Sequence, residues 1–176
     1  MAILVDPAVW PWRDQRWAHL VSDDSLDELH DFAERLGVRR FSFQGDHYDV
    51  PAHVRTRAIG LGAEPVDSRS LLRRLKAGGL RLGPSQRLPK WSIVHDGPLV
   101  AVSSVLGGEV GQRLELAVDG LDIEPHRMIV GDRADLSGVL LTTDELPPRP
   151  TTVGVSVHLS DPPDDHAAVE LFVAPA

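Results

Sequence analysis

Residues 16–37, with the sequence RWAHLVSDDSLDELHDFAERLG, decide the fold class of the first part of the chain. Arg16 to Val21 is a short, mostly apolar run that predicts a strand. Ser25-Leu26-Asp27-Glu28 has the pattern of a capping box, in which Ser25 is the N-cap and Glu28 reaches back to it. Gly37 is placed to end the helix. The apolar residues between them follow helical spacing: Leu26, Leu29, Phe32, Ala33 and Leu36.

Strand and helix patterns also alternate on both sides of this segment. Ala2 to Val5 predicts a buried strand that ends in a turn, and Arg40 to Gln44 predicts a third strand. Asp49 to Leu61 predicts a helix, because an acid and Pro51 stand at its start. Glu64 to Asp67 predicts a fourth strand, followed by a helix that carries Leu71, Leu72 and Leu75. This order is typical of a small α/β domain of two or three layers with a partly parallel sheet.

The pattern changes after residue 77. Glycine and proline residues interrupt residues 78–90, which we interpret as a linker between domains at 1–77 and 91–176. The second part contains short apolar runs separated by turn residues, and we expect an all-β domain, a sandwich or a barrel. The predicted strands are Trp91 to His95, Leu99 to Leu106, Arg113 to Val118, Met128 to Val130, Val139 to Thr142, Val153 to Leu159 and Ala168 to Val173.

Composition excludes several classes of protein. The 176 residues include no cysteine, which excludes disulfides, thiolate metal sites and cysteine nucleophiles. No apolar run approaches the roughly 20 residues of a membrane span, and the first residues lack the pattern of a signal peptide. We therefore expect a cytoplasmic protein with no membrane partner. The net charge of −8 excludes a globally basic nucleic-acid-binding protein.

The charge is unevenly distributed along the chain. Residues 1–38 have three basic and eight acidic residues, residues 39–90 have eleven and four, and residues 91–176 have four and fourteen. The three segments therefore carry −5, +7 and −10. This asymmetry suggests an anionic ligand for the middle segment or pairing between oppositely charged parts. Solvated helix surfaces explain the same counts without any ligand.

Polar side chains follow the predicted strands of the first domain. If the strands are parallel and adjacent, these side chains meet at one edge of the sheet, where open α/β sheets bind ligands. We expect Asp6, Asp23 and Asp49 to hold a metal such as Mg²⁺ or Mn²⁺. His47, His19 and Asp49 are the candidate catalytic residues, with His47 moving a proton. The candidate ligand-binding residues are Arg55, Arg69, Gln44 and Tyr48, of which the arginines would hold a phosphate.

Other roles explain several of these residues. An N-cap accounts for Asp49, and a turn before Pro7 accounts for Asp6. Trp10, Trp12 and Trp17 lie close together in sequence. Lining a pocket or covering its mouth fits them, but we favour a hydrophobic lid on the small sheet. The chain has no Walker A loop, no dinucleotide fingerprint, no His-Glu-x-x-His pair and no nucleophile elbow.

Several short motifs resemble a bacterial and phage family known as domain of unknown function 4031. They are Val5-Asp6, Trp17-Ala18-His19, Glu28-Leu29-His30 and His47-Tyr48-Asp49, and the likeness covers roughly residues 3–77. Members of that family are commonly short chains, whereas this chain adds about a hundred further residues. The resemblance implies a domain boundary near residue 77 and brings no activity with it.

Two functions fit the sequence. In the first, the α/β domain binds a phosphate-bearing ligand, a nucleotide or a nucleic acid, and hydrolyses a phosphoester with the help of a metal. In the second, the chain is a non-enzymatic module for protein–protein interaction or self-association. Its acidic part would pair with the basic segment of its own chain or of a partner chain, and a homo-oligomer is one form that this could take.

Overall fold

The computed structural model describes residues 2–12, 14–163 and 165–174. The chain divides into two compact units, Met1–Arg87 and Leu88–Ala176. Both units contain helices and a sheet, so the chain is a mixed α/β protein, as the sequence predicts for the first unit. No helix in the described part of the chain has the length and hydropathy needed to cross a membrane.

The first unit contains a mixed five-stranded sheet. Its strands are β1 (Ile3–Val5), β2 (Trp10–Trp12), β3 (Gln15–Ser22), β4 (Tyr48–Pro51) and β5 (Glu64–Pro65). The central strand β3 pairs antiparallel with β1, β2 and β4. Because β1 and β5 are parallel, the prediction of a partly parallel sheet is confirmed.

Three helices complete this unit: α1 (Leu26–Leu36), α2 (Ala52–Gly60) and α3 (Ser68–Ala77). Helix α1 begins and ends as its sequence predicts. The Ser25 hydroxyl accepts a hydrogen bond from the Glu28 N–H, and Gly37 ends the helix with a φ of 77°. The Glu28 carboxylate differs from the prediction, because it accepts a hydrogen bond from the Ser22 hydroxyl instead of reaching back to Ser25.

Alternation along the strands gives the sheet two different faces. One face contributes Val5, Leu20 and Val50 to a core packed by helices α1 and α2. On the other face, Leu4 and Val21 form a smaller core with Leu71 and Leu75 of α3. This second face carries His19, which lies two residues before Val21 on β3.

Two predicted elements of the first unit are wrong. Arg40 to Gln44 was expected to be a strand, but Arg40–Ser42 is a 3₁₀ turn. Asp49 was expected to begin a helix, but it lies inside β4, and helix α2 begins after Pro51. The physical reason is alternation, because Tyr48 and Val50 are buried while Asp49 between them is exposed.

The second unit contains a five-stranded antiparallel sheet. Its strands are β6 (Ser92–Gly97), β7 (Arg127–Arg133), β8 (Leu136–Thr143), β9 (Ser156–Ser160) and β10 (Ala167–Val173). They are arranged in the order β6-β7-β8-β10-β9. Within the described residues the sheet does not close into a barrel, and it has no second sheet to form a sandwich.

The expectation of an all-β second domain is wrong at two helices, α4 (Val102–Val105) and α5 (Gly108–Asp119). Arg113 to Val118 alternates like a strand, which explains the incorrect prediction. Over a longer window, however, Val110, Leu114 and Ala117 follow helical spacing and pack against the core of the sheet. This face of the sheet is therefore covered by helices.

Candidate metal centre

The candidate site begins with a buried carboxylate at the end of β1. Asp6 follows Val5, and its backbone N–H donates to the carbonyl of His19 on the antiparallel strand β3, at 3.2 Å. The fully buried Asp6 carboxylate accepts from the His19 N–H at 2.7 Å and lies 3.0 Å from His19 Nδ1. The Ser68 hydroxyl also donates to it, at 2.7 Å. These contacts fix the His19 ring so that Nε2 points away from Asp6.

The contact between Asp6 and His19 favours the charged form of both side chains. Burial alone would raise the pKa of Asp6, but hydrogen bonds from His19 and Ser68 outweigh it and lower the pKa below its ordinary value. The hydrogen bond to Asp6 raises the pKa of His19, although burial opposes the shift. The Asp6 carboxylate is therefore ionised and acts as a fixed acceptor for the imidazole.

A second carboxylate–histidine pair lies in the connection before β4. His47 Nδ1 is 2.5 Å from Asp46 Oδ1, and the Asp46 side chain is only 5% exposed. The other oxygen of Asp46 accepts from the Leu82 N–H and from Arg81 Nη1, each at 3.0 Å. Burial raises the pKa of Asp46, but the bonds from His47 and Leu82 outweigh it, and the pKa is lowered.

Both imidazoles direct Nε2 toward Asp49. Asp49 lies opposite His19 in the pairing of β3 with β4. Asp49 Oδ1 is 3.9 Å from His19 Nε2 and 3.5 Å from His47 Nε2. The two imidazole rings have centroids 5.3 Å apart. The three potential ligand atoms lie within 4.8 Å of one another.

This arrangement has the chemistry of a metal centre. Metal-bound histidines usually hold a carboxylate on the second ring nitrogen, which fixes the ring and makes it a better ligand. Two imidazole nitrogens and one carboxylate oxygen form the protein ligand set of many catalytic zinc sites. Ligand bonds of about 2.0–2.1 Å in a tetrahedral site separate the ligand atoms by about 3.3 Å. Asp49 Oδ1 lies 3.5 Å from His47 Nε2 and 3.9 Å from His19 Nε2. The donors favour Zn²⁺ over the Mg²⁺ or Mn²⁺ expected from the sequence, because Mg²⁺ and Mn²⁺ prefer oxygen.

A cavity of about 250 Å³ adjoins the centre. The polar side chains in its lining are Asp6, His19, His47, Ser68 and Arg81. The apolar ones are Val21, Leu71, Leu72 and Leu75. The cavity therefore gives a small molecule a place beside the two imidazoles.

The structure brings together only part of the predicted site. His19, His47 and Asp49 meet, with Asp6 behind His19 and with Arg55, whose Nε donates to the Asp6 carbonyl at 2.6 Å. Asp23 lies at the opposite end of β1, where its carboxylate accepts from the Ala2 N–H and from Arg74 Nε. The separation follows from strand direction: β3 is antiparallel to β1, so Asp23 follows β3 at the end where β1 begins.

The other predicted ligand-binding residues lie elsewhere in the first unit. Tyr48 is buried on the opposite face of the sheet, with its hydroxyl 2.7 Å from His30 Nδ1. The exposed Gln44 side chain donates to the Ser42 carbonyl. The backbone N–H of Arg69 binds the Asp67 carboxylate in the first turn of α3. None of these contacts directs Tyr48, Gln44 or Arg69 toward the candidate metal centre.

Three contributors were not assigned from the sequence. Asp46 could have been assigned from the sequence, because it directly precedes the candidate residue His47. Ser68 begins helix α3, and its hydroxyl donates to Asp6 across 62 residues of sequence. Arg81 lies in the predicted linker, 35 residues from Asp46, and no local pattern connects the two.

A family model described as "Protein of unknown function (DUF4031)" matches residues 3–78. These residues therefore match that family. The resemblance predicted from the sequence motifs is thereby confirmed. The domain runs from β1 through α3 and contains His19, His47 and Asp49. Comparison with curated proteins and with solved structures gave no match.

Proposed function

We propose that the first unit is a metal-dependent hydrolase of phosphoesters, with a divalent transition metal bound by His19, His47 and Asp49. One observation supports it above the others. Each imidazole binds a buried carboxylate through Nδ1, and both imidazoles turn Nε2 toward the same Asp49 oxygen. A structural salt bridge needs one such contact, whereas two matched pairs converging on a third ligand atom are typical of a metal site.

The proposed chemistry uses the open coordination position of a three-ligand site. His19, His47 and Asp49 would hold the metal, which would supply a bound water of lowered pKa as the nucleophile. The water oxygen would bond to phosphorus as the bond from phosphorus to the ester oxygen breaks, and the proton lost by the water would be taken up by the departing alcohol. Asp6 and Asp46 keep the imidazoles in place throughout. Arg81 lines the adjoining cavity, where a guanidinium provides donors for a phosphate oxygen.

Metal binding is tested first, on the full chain after treatment with EDTA. Calorimetric titration with Zn²⁺ is expected to lose the site in His19→Ala and in His47→Ala. The second unit offers a matched control: His126, Asp144 and His166 also group their ligand atoms, but all three side chains are exposed. His126→Ala should keep the site. Loss of binding in His126→Ala, with normal binding in the other two variants, would overturn the proposal.

Hydrolysis is tested with bis(p-nitrophenyl) phosphate and Zn²⁺, Mn²⁺ or Mg²⁺. The parent is expected to release p-nitrophenol most rapidly with Zn²⁺, and Asp49→Ala should reduce the rate to background. Asp144→Ala, the matched control in the second unit, should retain the parent rate. Equal rates in the two variants, or no metal-dependent release by the parent, would contradict the hydrolytic function. The cytoplasmic location, the homo-oligomer and the interaction module stay predictions from the sequence.

A further inference from the structure

Three tryptophans continue the face of the sheet that carries the metal centre. Trp17 precedes His19 by two residues on β3, so their side chains share a face. Trp10 is the register partner of Trp17, and Trp12 lies two residues further along β2. We call Trp10, Trp12 and Trp17 the tryptophan stripe. It extends from the metal centre toward the end of the β2–β3 hairpin.

The stripe does not form the hydrophobic lid expected from the sequence. Trp10 is 57% exposed and Trp12 is 54% exposed, although both are large apolar side chains. Exposed aromatic side chains grouped next to a polar site are typical of a binding surface. Two members of the group also contact each other: the Trp12 and Trp17 rings meet edge to face with centroids 5.2 Å apart, and Trp17 Nε1 donates to the Trp12 carbonyl.

Trp10 is the member of the stripe that reaches the metal centre. Its ring contacts the His19 ring edge to face, with centroids 6.0 Å apart. A ligand whose phosphate lies at Nε2 of His19 and His47 would therefore place its organic part near Trp10. A flat aromatic group would stack there, as nucleobases stack on exposed aromatic residues of sheet surfaces.

Charge favours a nucleotide over a neutral aromatic ligand. Arg81 lies in the cavity next to His19, and the Arg55 side chain contacts Asp6 from helix α2. Residues 39–90, which supply both arginines, carry eleven basic and four acidic residues. A base for stacking and an anionic phosphate beside it are the two chemical features that this surface matches.

We infer that the phosphoester substrate carries a nucleobase, which stacks on Trp10 while its phosphate lies at the metal centre. The inference rests on the proposed function for the position of the phosphate. A mononucleotide and a single-stranded nucleic acid share this chemistry. In a strand, the next base would meet Trp12.

Binding is measured first, by fluorescence anisotropy of a labelled oligothymidylate and by competition with dTMP, on the full chain without metal. Trp10→Ala should weaken binding about 5- to 100-fold, the usual effect of removing one stacked base, and Trp10→Phe should restore most of the affinity. Leu116→Ala, which removes an exposed apolar side chain of the second unit, is the matched control and should bind like the parent. If Trp12→Ala also weakens binding of the oligonucleotide but not of dTMP, the strand is the ligand. If the parent binds dTMP as tightly as the oligonucleotide, the mononucleotide is the ligand.

Hydrolysis separates this inference from the proposed function. With Zn²⁺, Trp10→Ala should lower turnover of the nucleotide ester and leave turnover of glycerol 2-phosphate, which has no aromatic ring, at the parent rate. If the metal-dependent hydrolysis of both substrates is unaffected by Trp10→Ala, the inference is overturned and the proposed function stands. If nucleotides bind through Trp10 but no ester is hydrolysed, the stacking stands and the proposed function fails. Binding of anionic lipid vesicles through Trp10, without nucleotide binding, would also overturn the inference.

Discussion

Asp6 is the residue that most directly connects the fold to the proposed chemistry. It is buried at the end of β1 and binds His19 through both the backbone N–H and Nδ1. Because an amide is a weaker acceptor than a carboxylate, Asp6→Asn should lower the affinity for Zn²⁺ about 10- to 100-fold. Calorimetric titration measures the change, with Asp31→Asn on the exposed surface of α1 as the charge-matched control. Equal affinity in the parent and Asp6→Asn would show that Asp6 does not support a metal ligand.

Asp23 has a structural role that pH dependence can identify. Burial raises the pKa of its carboxylate, but hydrogen bonds from Arg74 and the Ala2 N–H outweigh this and lower the pKa below 3.8. A lowered folded pKa stabilises the protein above the unfolded pKa, and this contribution is lost as pH falls through the folded value. Asp23→Asn should therefore be less stable than the parent at about pH 7, and the difference should shrink below pH 3.8. Urea unfolding across this range measures it, and a difference independent of pH would contradict the role.

At the scale of elements, the end of α3 packs directly on the turn after β3. A Cβ atom added at Gly78 would lie 2.4 Å from the backbone oxygen of Asp23. Gly78→Ala should therefore lower the free energy of unfolding by about 1–3 kcal/mol, because the backbone must shift. Gly60→Ala is the matched control, since a Cβ there meets nothing within 4 Å and helix α2 gains a better helix former. Urea unfolding measures the free energy of unfolding of both variants. Equal values would show that α3 shifts away from Asp23 without an energetic cost.

Elements with strong local signals were predictable from the sequence. The cap at Ser25, the apolar spacing of α1 and the stop at Gly37 are all encoded within one short segment. The four-residue strand β4 was not predicted, because Asp49 and Pro51 also fit the start of a helix. Helix α5 was missed because a short window over Arg113 to Val118 alternates like a strand.

The candidate site was predictable in residue type but not in arrangement. His19, His47 and Asp49 stood out as polar residues beside apolar strands, and the structure groups them. The prediction that Asp6 and Asp23 meet depended on parallel strands, and β1 and β3 are antiparallel. The contact of Asp46 with Arg81 joins distant parts of the first unit, which local sequence patterns do not encode.

At the scale of the whole molecule, the proposed metal binding should be coupled to stability. A ligand that binds only the folded state stabilises it, by about 2.7 kcal/mol at a hundred times its Kd. Three of the four tryptophans lie in the first unit, so tryptophan fluorescence reports mainly on its unfolding. Zn²⁺ should shift this transition to higher urea concentration in the parent and leave it unchanged in His47→Ala. An equal shift in both proteins would indicate binding elsewhere.

The acidic character of the chain belongs mainly to the second unit. Residues 88–176 carry five basic and fourteen acidic residues, whereas residues 1–87 carry thirteen and twelve. The net charge of −8 therefore does not oppose an anionic ligand in the first unit. The field at the candidate metal centre depends on the charged side chains around it, the carboxylates as well as Arg55 and Arg81, more than on the total charge.

Anomalous diffraction from crystals of the Zn²⁺-loaded protein tests the metal centre most directly. A zinc peak is expected about 2.0–2.2 Å from Nε2 of His19, Nε2 of His47 and a carboxylate oxygen of Asp49. A peak only at His126, Asp144 and His166, or none near His19 and His47, would contradict this prediction.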